Sequence, residues 1–108
     1  MSAASTLAAT GLLLCLAAVP AVAWEARVER GRALARTECA RCDAVDRTGP
    51  SPLRQAPPFR TLHERYPVEN LAEALTECIR TGHPTMPEFR FEPDQAEGLI
   101  AHLKALEL

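Results

Sequence analysis

The first 23 of the chain's 108 residues, MSAASTLAATGLLLCLAAVPAVA, contain no charged residue, and this sets them apart from everything that follows. The run ends in Ala21-Val22-Ala23 before Trp24, the small-x-small pattern that a signal peptidase reads, and it is short for a membrane span. Residues 1–23 are therefore expected to be a signal peptide and residues 24–108 an exported, periplasmic domain with no membrane span of its own. The segment also lacks an N-terminal Lys or Arg, and Cys15 lies in it as a lipobox cysteine would. Leu14 is too large for the residue before such a cysteine, which favours simple cleavage near Ala23. Other absences narrow the function. The net charge is −2, with Lys and Arg scattered among Asp and Glu, so there is no basic patch for nucleic acid. Apart from Phe89 to Phe91, no segment alternates polar and apolar residues as a strand does, and this removes the βαβ frame in which a redox C-x-x-C usually sits.

What is present reads as helices separated by proline. From Trp24 to about Ala40, Val28, Gly31, Leu34 and Ala35 recur at helical spacing, and Gly31 on that face lets another helix come close. Residues 46–67, DRTGPSPLRQAPPFRTLHERYP, hold most of the prolines and are expected to form a loop without regular structure, anchored by Leu53, Phe59, Leu62 and Tyr66. A second helix is expected over NLAEALTECIRTG, with Asn70 and Glu73 as a capping box, Leu71, Leu75, Cys78 and Ile79 on one face, and Gly82 as its stop. Pro93 opens a third helix whose stripe is Leu99, Ile100, Leu103 and Leu106. The fold class is all-α, with three main helices and long proline-rich loops. Some 85 residues arranged this way enclose little core, and domains only slightly smaller commonly need a staple or cofactor.

Four blocks stand in one order: GRALARTECARC, GPSPLRQAPPFRTL, NLAEAL with IRTGHPTMPEFRF, and LIAHLKAL. Together they resemble the class I c-type cytochromes of bacterial periplasms across essentially the whole chain after residue 23. The resemblance implies a cytochrome c-like fold around a haem pocket and a monomeric, non-enzymatic electron carrier that meets a redox protein partner. It implies haem c bound covalently through Cys39 and Cys42, with Met86 in HPTMPEF as the distal iron ligand. It also implies that Gly31 packs against the last helix near Leu99 and Leu103, and that the Gly49–Pro52 loop offers backbone carbonyls on the proximal side.

The departure from the pattern is Asp43, which stands where C-x-x-C-H supplies the proximal histidine. A carboxylate is a harder, anionic donor that favours ferric iron and lowers the reduction potential. Two other fates of the cysteines stay open. Cys39 and Cys42 form a disulfide in an oxidising compartment, or some subset of Cys39, Cys42, Cys78, His83 and Met86 holds copper or zinc in a haem-free module that serves metal binding or protein contacts. Cys78 otherwise reads as a small core residue, His63 as solvated, His83 as a loop residue, and His102 as a packed or half-exposed aromatic substitute.

Overall fold

A computed structural model of the chain describes residues 2–77 and 88–108, without the side chains of 2–19. Among the described residues it is helical, with no strand and only an isolated bridge at Phe89. Helix α1 spans Ser2–Glu38, α2 spans Leu71–Glu77 and α3 spans Pro93–Ala105. The all-α expectation therefore holds, whereas the start of the first helix does not. The sequence predicts a helix from Trp24; the structure carries one unbroken from Ser2 through Pro20 and across position 23. The residues around that junction, AVPAVAWEARVER, contain no glycine and a single proline, so little in the local chemistry interrupts a helix there. Residues 20–27 are exposed on all sides. No helix among the described residues is long and apolar enough to cross a membrane.

The fold is organised by one crossing. Gly31 on α1 lies directly against Gly98 on α3, so close that a Cβ built on Gly31 would sit 1.7 Å from the Gly98 carbonyl oxygen. Helix–helix distances are normally set by side chains. Here the backbones themselves touch, as the position of Gly31 predicts. Around the crossing Ala35, Val45, Leu75, Phe91, Ala96 and Leu99 form one buried cluster, and Leu62, Val68 and Leu103 form a second. The core is thin: among the described side chains Val68 is the only large one that is fully buried, and Phe59 and Phe89 reach it only half-buried.

Residues 46–67 are more regular than their prolines predict. They contain a 3-10 helix at Phe59–Glu64, and a second follows at Val68–Asn70. Each starts directly after a proline, Pro58 and Pro67, both with φ −62 and extended ψ. Proline thus breaks what precedes it and caps the start of the next turn, where its missing N–H costs no helical hydrogen bond. Of the expected anchors Leu62 is buried, Leu53 and Phe59 are half-buried, and Tyr66 is exposed. Asn70 closes the second 3-10 helix, its N–H donating to the Pro67 carbonyl, so α2 starts without the predicted capping box. That kind of reciprocal contact falls instead on α3, where the Glu92 N–H donates to Gln95 Oε1 at 2.9 Å.

Candidate functional site

Helix α1 ends at Glu38 and the C-x-x-C motif continues its spiral for one more turn. The Cys39 and Ala40 N–H groups both donate to the Ala35 carbonyl, and the Cys42 and Asp43 N–H groups both donate to the Cys39 carbonyl. The turn uses backbone groups that a helix end otherwise leaves unpaired. It places both thiols and the Asp43 carboxyl on one turn at the edge of the core. Cys39 packs against the larger buried cluster. Both cysteines are free thiols and half-buried, so the disulfide alternative is not formed in this structure.

Burial separates Cys39 from reactive thiol chemistry. Burial pushes the Cys39 thiol up to about 12, with smaller upward contributions from Asp43, Glu38 and Cys42. A thiolate is the nucleophile and metal ligand, and here it is strongly disfavoured. Raising the value from 9.0 to about 12 removes about three decades of thiolate, of which rising nucleophilicity restores roughly one and a half. In a Cys42→Ser chain, Cys39 is therefore expected to attack a disulfide reagent on the order of 30-fold more slowly than it does after unfolding in urea. Equal rates in the two states would contradict this.

Asp43 is half-buried, and burial pushes its carboxyl above the usual carboxylate range. No hydrogen bond or ion pair to its side chain exists among the described residues. An unpaired carboxylate gains nothing at the carbonyl end of a helix, where the dipole favours cations. The segment after it is fastened at nearly every residue. The Ala44 N–H donates to Ser51 Oγ at 2.9 Å, and the Ala44 carbonyl accepts from the Phe59 N–H. The Val45 carbonyl lies 2.8 Å from His102 Nε2. Asp46 Oδ1 sits 3.6 Å from both Arg32 Nε and an Arg36 guanidinium nitrogen. Arg47 donates to the Ala105 and Leu108 carbonyls, closing the C-terminal end of α3.

Leu53 returns to the motif, its N–H donating to the Cys42 carbonyl at 3.0 Å. The Gly49 carbonyl, expected on the proximal side, is taken by the Arg60 guanidinium at 2.8 Å. Gly49 itself has φ +95, a backbone that only glycine adopts without strain.

No family model, no curated protein and no solved structure matches the chain. Met86, Cys78, His83 and Gly82 lie outside the described residues. Among the described residues no group of three His, Cys, Asp or Glu side chains is placed to hold a metal ion. His63 is exposed, as its polar turn predicts. His102 is packed, the first of the two expected places: it is 3 % exposed, and its bond to Val45 is a contact the helical pattern of α3 alone does not reveal.

Proposed function

We propose that this is a cytochrome c-like electron-transfer protein of the periplasm, with haem attached through Cys39 and Cys42 and Met86 as the distal iron ligand. The observation that supports this reading most is the turn Cys39–Asp43. It holds two free thiols and one half-buried carboxyl, which has no partner among the described residues, together at the edge of a core that the described side chains fill thinly. Thioether formation requires thiols that are neither oxidised nor tied to other groups, and these two meet that condition. The chain fits covalent attachment, while its proximal donor is an oxygen where the resemblance implies a nitrogen. Bound there, haem would supply a one-electron couple.

The chain's own contributions follow from the contacts described. The crossing of α1 on α3 fixes the helix from which the thiols project. The fastened segment Ala44–Arg47 holds Asp43 in place, and Phe59, Phe89, Leu34 and Leu71 pack half-buried against the same core cluster that Cys39 meets. The test is extraction of the exported protein with acidified organic solvent. Pigment is expected to stay with the polypeptide and to be lost in a Cys39→Ser, Cys42→Ser chain. Pigment that extracts freely from the unaltered chain would count against covalent attachment.

A further inference from the structure

His102 stands on the inner face of α3 with 3 % of its surface exposed, and its Nε2 lies 2.8 Å from the Val45 carbonyl. The contact joins residues 57 apart, linking the last helix to the segment that follows the C-x-x-C turn. Val45 is itself buried and part of the main core cluster, so its carbonyl has little access to water. A buried carbonyl left without a donor is costly, about 1–3 kcal/mol as a general figure. The imidazole must carry its proton on Nε2 to donate.

We propose that His102 is a positioning residue for the segment 39–47, holding it through the Val45 carbonyl while neutral and loosening it when protonated. The charged groups around the ring are Arg32 and Arg36 from α1 and Asp46 from the loop, which lies against both guanidiniums. Adding a second proton puts a full charge beside two cations and one anion in a nearly closed site. Burial dominates and holds the imidazole below its ordinary value of 6.5; the Val45 hydrogen bond and Asp46 act upward, and the two arginines downward. The native state therefore binds this proton less well than the unfolded chain. The stability it contributes is complete above about pH 6.5 and is lost as pH falls through the native value. The segment that loosens carries Asp43, and only that consequence rests on the haem reading above.

Amide hydrogen exchange on the full chain tests the proposal. The reporters are the Ala44, Leu53 and Phe59 amides, whose hydrogen bonds belong to this segment, compared with the Ala96 amide in α3. Between about pH 7.5 and about pH 5, which brackets the ordinary imidazole range, protection of the three reporters is expected to fall by about tenfold while Ala96 holds. In a His102→Gln chain, which keeps an N–H donor but does not titrate, protection is expected to be the same at both pH values. A His102→Phe chain, lacking the donor, should be poorly protected at both; if it does not fold, the glutamine chain decides. Unchanged protection in the native chain, or an equal acid loss in His102→Gln, would overturn the proposal. Exchange reads the polypeptide, so the same outcome is expected from a chain that carries no haem. Failure here is thus separable from failure of the haem reading.

Discussion

Replacing Gly31 by alanine is expected to destabilise the protein by about 3 kcal/mol or more, enough to consume much of the stability of a domain this small. The added Cβ would meet the Gly98 carbonyl oxygen at 1.7 Å, the Gly98 carbonyl carbon at 2.2 Å and the Leu99 nitrogen at 2.9 Å. All three are backbone atoms inside α3, so no side chain can swing aside. The helices must separate, which also opens the packing of Ala35, Ala96 and Leu99. Alanine's helix propensity returns only roughly 1 kcal/mol. The mirror substitution Gly98→Ala behaves differently. Its Cβ would meet the Gly31 nitrogen at 3.2 Å and the Arg27 oxygen and Gly31 Cα at 3.4 Å, contacts that a shift of a few tenths of an ångström relieves. Gly98→Ala is expected to stay within about 1 kcal/mol of the native chain, since propensity offsets mild crowding. Urea unfolding of the two variants checks both statements. A Gly31→Ala chain as stable as the native one would show that the crossing is not held by this contact.

The second large effect concerns Asp43. In protein exported beside the haem-attachment machinery, Asp43→His is expected to turn a high-spin, low-potential centre into a low-spin one and to raise its midpoint potential by at least on the order of 0.1 V. The reason lies in the donor. A carboxylate is anionic and hard, so it stabilises the ferric state; a neutral imidazole does so far less. The substitution also removes an ionisable acid from a half-buried place where it has no partner among the described residues. A redox titration followed in the visible range checks both spin state and potential. Matching spectra and potentials in the two chains would show that Asp43 does not stand at the iron. A low-spin spectrum in the native chain would show that another residue had taken the position.

What could be read from the sequence follows the range of the interactions involved. Gly31 is legible because a glycine on the apolar face of a helix costs stability unless something approaches it. Its partner Gly98 is not, since EGLIAH reads there only as a weak spot in a stripe that starts at Leu99. The C-x-x-C turn is placed by the end of a short-range helical pattern. The clasp around it comes from residues far away: Arg47 reaches carbonyls 58 and 61 positions on, and Val45 meets His102 across 57. No periodicity connects such pairs. The capping box differs from its predicted place for a local reason. Asn70 and Glu73 have the right spacing, but Pro67 starts a 3-10 turn that runs into α2 and leaves no extended N-cap residue. At α3, Glu92 is extended with φ −65 and ψ 154 before Pro93, and the contact forms there.

The most direct measurement is the intact mass of the native protein after export in cells that carry the haem-attachment machinery. The expected result is a polypeptide heavier by one haem, with the added mass located on the peptide that contains Cys39 and Cys42. A polypeptide of unmodified mass, from cells that load a C-x-x-C-H protein in the same preparation, would contradict covalent attachment and with it the electron-transfer reading.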